Sequence, residues 1–164
     1  MTERFPNLIL LGAPKAGTTS LFDYITQHPS IFGAQFKETH FFSDDTKYAR
    51  GVEYYLNHYF PDSEDYEVRA EATPEYLRSG LKVAPRLHRT APNVDVKFVA
   101  ILRDPVERAW SNYLHRRRVG AEPLSFEEAL AQEEQRLNAN PTSFAAYYHQ
   151  RLYCQHLERC LSYY

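Results

Sequence analysis

The sequence has few cysteines. Cys154 and Cys160 are the two that occur among its 164 residues. Six residues apart on a predicted helix, their side chains point about 120° away from one another, at ~100° per residue. That spacing provides neither a disulfide framework nor a zinc site. We therefore expect two buried thiols in a reducing compartment.

The sequence also lacks membrane and targeting signals. Its apolar runs are far shorter than the ~20 residues of a transmembrane helix, and the residues after Met1 lack the apolar stretch of a signal peptide. We therefore expect a cytoplasmic protein. Neither charge dominates, because Lys and Arg number 19 against 21 Asp and Glu. This balance gives no reason to expect attraction to nucleic acids or membranes.

No internal repeat and no Gly/Ser linker divides the chain, and its length suits a single domain spanning residues 1–164. Aromatic residues are abundant, with 13 Tyr and 10 Phe. Tyrosine combines apolar area with a hydroxyl group. The aromatic content therefore fits either a tyrosine-rich core or a cleft for a polyhydroxy ligand.

Apolar runs and helical periodicities alternate along the chain. Strands are predicted at 7–11, 68–73 and 94–102, and helices at 18–28, 48–60, 81–90, from 105 onward, 125–138 and 143–164. The alternation predicts an α/β fold with a parallel sheet flanked by helices on both faces, a P-loop-like nucleotide-binding architecture. Ligands of such sheets bind beyond the carboxyl ends of the strands. Residues 12–20, 73–76 and 103–104 occupy those positions.

The first of these segments predicts an anion site. Gly12–Ser20 lies between a buried strand and a helix, so backbone N–H groups and the helix dipole converge there, with Lys15 adding a full charge. A Walker A loop places its lysine directly after the second glycine, whereas here Thr18 follows Gly17. A P-loop kinase or ATPase, with Asp104 holding magnesium, is therefore the alternative rather than the first choice.

The same segment resembles the 5′-phosphosulfate loop of sulfotransferases that use 3′-phosphoadenosine 5′-phosphosulfate (PAPS), written P-K-[SA]-G-T-[TS]. Arg103–Tyr113 is similar to the 3′-phosphate motif of that family, R-[DN]-P-x-x-R-A-x-S-x-Y. The resemblance implies that Arg103 and Ser111 bind the 3′-phosphate. For the 5′-phosphosulfate it implies Lys15, Ala16, Gly17, Thr18, Thr19 and Ser20.

A third segment, Phe36–Phe42, resembles the K-E-x-H-F-F motif of heparan-sulfate-type sulfotransferases, with Thr39 in place of a frequent proline. The resemblance implies that Glu38 is the catalytic base, with Lys37 and His40 beside it in the acceptor cleft. Partial desolvation among aromatic residues predicts a raised pKa for Glu38. The 71–76 segment resembles the loop bordering the acceptor cleft, which implies substrate roles for Thr73 and Tyr76.

Three further patterns are interpreted structurally. The helix that begins at Asp104–Pro105 has a predicted apolar stripe of Val106, Ala109, Trp110, Tyr113 and Leu114. Arg116–Arg118 could meet an acidic glycan or the nucleotide, but a solvated helix end that favours the helix dipole is the preferred interpretation. Glu127, Glu128, Glu133 and Glu134 are predicted to form a solvated acidic face.

The resemblance runs from Leu8 to Tyr164, and it covers the front portion of the family domain. Nothing in this sequence matches the family's glycine- and lysine-containing closing loop, and helical apolar spacing continues to the last residue. We therefore expect an N-terminal portion of the domain or an unusually short form.

The implied function is transfer of a sulfonate group from PAPS to a hydroxyl or amine of a glycan, lipid or small molecule. Glu38 and Lys15 would be catalytic, with no metal required. A non-catalytic nucleotide-binding remnant is the other alternative.

Overall fold

The computed structural model describes residues 4–164. Within them, four parallel strands form one sheet in the order β2-β3-β1-β4. The strands are β1 (Leu8–Gly12), β2 (Ile31–Gly33), β3 (Val68–Ala72) and β4 (Lys97–Ala100). The predicted α/β fold with a parallel sheet is confirmed. The three-residue β2 was not predicted, because a run this short carries no periodicity.

Helices cover the sheet and connect its strands. They are α1 (Thr18–Ile25), α2 (Asp45–Tyr48), α3 (Gly51–Tyr59), α4 (Gly80–Thr90), α5 (Pro105–Arg118), α6 (Phe126–Ala131), α7 (Glu133–Ala139) and α8 (Tyr153–Leu161). Two 3₁₀ helices, Pro74–Tyr76 and His149–Arg151, lie between them. None of the helices within residues 4–164 combines the length and apolar character needed to cross a membrane.

Three predicted helices have different bounds in the structure. The 48–60 helix corresponds to α3, which begins at Gly51, a residue with positive φ, while Tyr48 ends the separate and unpredicted helix α2. The 125–138 helix separates into α6 and α7 at Gln132. The 143–164 helix becomes the second 3₁₀ helix followed by α8. Apolar spacing continued through these breaks and therefore could not reveal them.

The central strand β1 brings the ends of its neighbours together. Leu10 is in register with Ala72 of β3 and Val99 of β4, so the three carboxyl ends meet at one edge of the sheet. A Cβ at Gly12 would lie 2.7 Å from the Pro74 carbonyl oxygen. Glycine at this position therefore allows the segment after β3 to lie directly against the end of β1.

Aromatic side chains fill much of the core on one side of the sheet. Phe41 stacks on Tyr55 with ring centroids 4.4 Å apart, and Phe42 contacts both Tyr55 and Tyr76 edge-on. All four rings are at most 1% exposed. Many of the aromatic residues thus build a tyrosine-rich core.

A buried carboxylate lies inside this aromatic core. Glu71 of β3 is fully buried and accepts hydrogen bonds from the hydroxyls of Thr39 at 2.5 Å, Thr73 at 3.0 Å and Tyr55. Tyr76 Oη lies 3.1 Å from Thr39 Oγ1. The network ties the 36–42 segment to the end of β3, because a buried carboxylate needs these donors.

The predicted apolar stripe of α5 does not coincide with the face that this helix buries. Val106, Trp110 and Leu114 of α5 are exposed, and the face that the helix buries carries Arg108 and Asn112 together with Ala109 and Tyr113. The Arg108 guanidinium donates to Tyr147 O and Gln150 Oε1, which fixes the segment before α8 to α5. Local periodicity could not anticipate a buried arginine with partners about 40 residues away in sequence.

Two further details differ from expectation. Glu133 is buried, and its carboxylate accepts from the backbone N–H groups of Tyr148 and His149. Cys154 is exposed, whereas Cys160 is buried against α4 as expected, and burial raises the pKa of its thiol to about 11. Both thiols are free.

Replacing the buried carboxylate tests the network around Glu71. In Glu71→Gln one oxygen becomes an amide N–H₂, so the hydroxyl donors around it lose an acceptor. We expect a loss of about 1–3 kcal/mol in the free energy of unfolding, measured by urea denaturation. Glu127→Gln, at an exposed position of α6, is the control and should change stability by less than ~0.5 kcal/mol. Equal stability of the two variants would show that the network does not hold the fold.

Candidate active site

The loop between β1 and α1 has the geometry of an anion-binding cradle. Gly17 caps α1 with a φ of 100°, a conformation that glycine adopts without strain. The first backbone N–H groups of α1 have no carbonyl partner within the helix, and no acidic side chain occupies its first turn. An anion is therefore favoured at this position.

Lys15 lies in the same loop and lines two adjoining clefts. The first, the loop cleft, has a volume of about 430 Å³, and the second, the helix cleft, about 580 Å³. The loop cleft is lined by Pro14, Lys15, Gly17, Thr18, Thr19, Glu38, His40, Pro74, Glu75, His115 and Phe144. The helix cleft is lined by Lys15, Arg103, Glu107, Trp110, Ser111, Leu114, His115 and Arg118.

The helix cleft brings together the two residues predicted to bind a 3′-phosphate. Arg103 follows β4, and Ser111 lies two turns into α5, so both face this cleft. The Arg103 guanidinium donates to Glu107 at 3.1 and 3.2 Å, and its backbone carbonyl accepts from Tyr153 Oη at 3.1 Å. Arg103 is therefore held through both its side chain and its backbone. An anionic ligand that bound the guanidinium would have to compete with the Glu107 carboxylate.

Asp104 has a structural role in this turn. Its carboxylate accepts from the backbone N–H groups of Val106 and Glu107 at 3.0 and 2.9 Å and so caps α5. The predicted helix start at Asp104–Pro105 is confirmed. Both cap bonds go to Oδ1 and give Asp104 a role that needs no metal ion. The kinase alternative gains no support from this arrangement.

In the loop cleft, His40 lies between two carboxylates. Its Nδ1 is 2.8 Å from Glu75 Oε2, and its Nε2 is 3.6 Å from Glu38 Oε2. Lys37 donates to the other oxygen of Glu38 at 2.9 Å. Glu38 and His40 thus enter the cleft as an ion pair, with Lys37 behind the carboxylate.

This ion pair reverses the expected effect on Glu38. His40 is the largest influence and, together with Lys37, lowers the pKa of Glu38 to about 2, although burial acts in the opposite direction. The prediction of a raised pKa was wrong, because it considered desolvation without the cation two residues away. Glu38 and then Glu75 in turn raise the pKa of His40 to about 9.

Three residues that line the loop cleft have an unusual backbone conformation. Lys15, Glu38 and His40 have φ values of 67°, 63° and 54°, in the left-handed region. Non-glycine residues there cost on the order of 1–3 kcal/mol each, and such residues cluster at functional sites. Thr39 lies between Glu38 and His40, and its hydroxyl bond to Glu71 helps to hold this conformation. The departure from the family's frequent proline therefore has a structural role.

Four predicted site residues have positions that limit their roles. Thr73 and Tyr76 are fully buried, and their hydroxyls belong to the Glu71 network rather than to the cleft. Ala16 packs against the core, and Ser20 is exposed outside both clefts. The Pro74–Tyr76 turn instead directs Glu75 toward the cleft, because Tyr76 points inward.

Sequence reasoning also missed His115 and Phe144, and it ranked a ligand-binding role for Arg118, which lines the helix cleft, below a solvated helix end. His115 and Arg118 lie one and two turns beyond Ser111 on α5, so helical spacing was the available signal. Burial, followed by the nearby Lys15, Arg118 and Arg116, lowers the pKa of His115. Arg116 and Arg117 bind backbone carbonyls of residues 121–123, in accord with a helix-end role. Phe144 carries no local signal.

Comparisons with known proteins agree with this architecture. The family described as "Sulfotransferase domain" matches residues 5–163. The structure of a sulfotransferase from Alicyclobacillus acidocaldarius matches with a TM-score of 0.81 and 33% identity, covering 96% of this chain and 68% of that one.

Curated relatives include heparan sulfate glucosamine 3-O-sulfotransferase 5 of Mus musculus, 30% identical across 100% of this chain and 46% of its own length. The membrane-associated sulfotransferase kil1 of Dictyostelium discoideum is 40% identical over 66% of this chain and 22% of its own length. The chain thus spans less than half of these two relatives. The family match, the fold and the two anion motifs agree: this chain belongs to the sulfotransferase family.

Proposed function

We propose that this chain binds PAPS and transfers its sulfonate group to a hydroxyl or amine of a glycan. The observation that carries the proposal is the position of Lys15, which lines both clefts at their meeting point. On one side are Arg103 and Ser111, and on the other is the Glu38 carboxylate. A donor that extends through both clefts would have its reactive end beside Lys15 and facing Glu38.

The residues of the two clefts fit the donor's chemistry. PAPS supplies the sulfonate group when it is bound. Its 5′ end would be held by Lys15, Thr18, Thr19 and the N–H groups that begin α1, which suit an anion. Its 3′-phosphate would be held by Arg103 and Ser111. Arginine binds phosphate through two parallel hydrogen bonds, so Arg103 would exchange Glu107 for the ligand.

Lys15 would stabilise the negative charge that grows on the leaving phosphate oxygen. Fixed donors directed at such developing charge act most strongly where water is excluded. Glu38 would accept the acceptor's proton. His40 makes the largest contribution to the low pKa of this carboxylate, so Glu38 is ionised at neutral pH and has a free lone pair to accept that proton.

The nature of the acceptor is supported by the relatives and by the cleft. Among the curated relatives are heparan sulfate glucosamine 3-O-sulfotransferases of Mus musculus and Homo sapiens. The loop cleft is lined by charged, polar and aromatic groups, including Glu38, His40 and Phe144, a mixture that suits a polyhydroxy ligand. A glycan is therefore the proposed acceptor class.

Nucleotide binding tests the assignment of Arg103 and Ser111. Adenosine 3′,5′-bisphosphate should bind more tightly than AMP, because a charge-assisted bond contributes about 1.5–3 kcal/mol, roughly tenfold or more in affinity. Calorimetry measures both dissociation constants. In Arg103→Ala the preference should shrink. Equal affinities in the parent chain would refute the 3′-phosphate assignment.

Substituting Lys15 separates binding from transfer. Lys15→Ala should reduce sulfonate transfer by the full gene product far more than it weakens binding of adenosine 3′,5′-bisphosphate, since the leaving oxygen becomes charged mainly in the transition state. Transfer is followed with radiolabelled donor. Lys97→Ala, at an exposed lysine paired with Asp95, is the matched control. Near-normal turnover by Lys15→Ala would reject this mechanism.

The role of Glu38 is tested by an isosteric change. Glu38→Gln retains the shape of the side chain but cannot accept a proton. Transfer by the full gene product should therefore fall by roughly 10²–10⁴-fold, while calorimetric nucleotide affinity stays within about threefold. Glu127→Gln serves as the control. A Glu38→Gln enzyme with parental turnover would remove Glu38 from the role of base.

A further inference from the structure

Glu75 is a charged residue of the loop cleft to which neither the sequence motifs nor the comparisons give a role. It occupies the middle of the Pro74–Tyr76 turn after β3, between two buried neighbours. Its two carboxylate oxygens have different partners. Oε2 lies 2.8 Å from His40 Nδ1, and Oε1 accepts from Arg78 Nη2 at 2.9 Å.

Arg78 fixes this carboxylate from behind. Its side chain is only 9% exposed, and its guanidinium lies 4.6 Å from the centre of the Phe144 ring. A cation held over an aromatic face and paired with a carboxylate has little freedom to move. Ser43 Oγ adds a contact at 3.5 Å to Oε2. Glu75 is therefore anchored on one oxygen and presents the other to His40.

The contact with Glu75 determines the tautomer and the orientation of the His40 ring. With Nδ1 facing Glu75, that nitrogen carries a proton, and Nε2 is directed at Glu38, 3.6 Å away. A carboxylate that binds one ring nitrogen sets the tautomer and the orientation of the other. The contacts form a chain from the cleft into the interior: Glu38 to His40, His40 to Glu75, and Glu75 to Arg78.

We propose that Glu75 is a positioning residue that orients His40 and keeps it cationic beside Glu38. The purpose of this positioning, alignment of Glu38 for sulfonate transfer, rests on the proposed function. Glu75 does not contact the reacting atoms in this scheme. Its effect is to hold the imidazolium where it aligns the Glu38 carboxylate toward the acceptor.

The charges around His40 support this role. Glu38 and Glu75 face the ring directly, with Lys37 paired to Glu38 and Arg78 to Glu75, while Lys15 and His115 also line the cleft. The two carboxylates together hold the pKa of His40 near 9 rather than 6.5. His40 is therefore protonated at neutral pH, and its charge depends on Glu75 as well as on Glu38.

The linkage to stability has a defined sign. The folded-state pKa of His40 is raised, so its ion pairs stabilise the fold fully below pH 6.5, and that contribution is lost as the pH rises through about 9. Glu75→Gln should remove part of this alkaline dependence.

The experiment is an NMR titration of the His40 imidazole in the 164-residue chain, assigned with His40→Gln. In the parent, we expect a pKa near 9 and, above it, a neutral ring protonated at Nδ1. In Glu75→Gln the pKa should fall toward 6.5, in Glu75→Asp it should stay closer to the parent, and in Glu127→Gln it should not change. An unchanged pKa in folded Glu75→Gln would overturn the proposal.

The parent alone also decides the matter if Glu75→Gln does not fold. A neutral His40 protonated at Nε2 rather than Nδ1 would overturn the assignment, because the ring would then donate nothing to Glu75. In the full gene product, Glu75→Gln should lower kcat by about tenfold with the KM for the nucleotide unchanged, and Glu75→Asp should restore part of the loss. Parental kcat in Glu75→Gln would overturn the catalytic purpose. A parent that titrates as expected yet transfers no sulfonate would instead contradict the proposed function and leave the positioning intact.

Discussion

The hydrogen bond from the Thr39 hydroxyl to the buried Glu71 carboxylate holds the geometry of the candidate site. Thr39 is between two residues in left-handed backbone conformation, and its side chain points into the core while theirs point into the cleft. Glu71 lies on β3, which pairs with β1, the strand that leads into the loop before α1. One buried carboxylate thus holds the proposed base in position relative to the proposed donor site.

Charge compensation explains the rest of the loop cleft. Glu38, His40, Glu75 and Arg78 alternate in sign, so each charge has an opposite neighbour as the line enters the protein. Alternation keeps partly buried charges from being isolated, which would be costly. The low pKa of Glu38 comes from its neighbours His40 and Lys37, and His40 is in turn paired with Glu75.

The sequence predicted the fold and placed the candidate anion-binding loop between β1 and α1 because these signals are local. The apolar runs of β1, β3 and β4 and the loop between Gly12 and Ser20 each lie within about a dozen residues. The sequence did not predict the buried positions of Thr73 and Tyr76, because a 3₁₀ turn decides which side chain faces inward. The lowered pKa of Glu38 and the burial of Arg108 and Glu133 depend on partners that local patterns did not identify.

In the proposed binding mode one nucleotide occupies both clefts, with its 5′ end at the first turn of α1 and its 3′-phosphate at Arg103. A crystal structure of the chain with adenosine 3′,5′-bisphosphate tests this most directly. We predict the 5′-phosphate beside Lys15 and the first turn of α1, and the 3′-phosphate between Arg103 and Ser111, with the Arg103–Glu107 pair opened. A nucleotide bound in the reverse orientation, or outside these clefts, would contradict this binding mode.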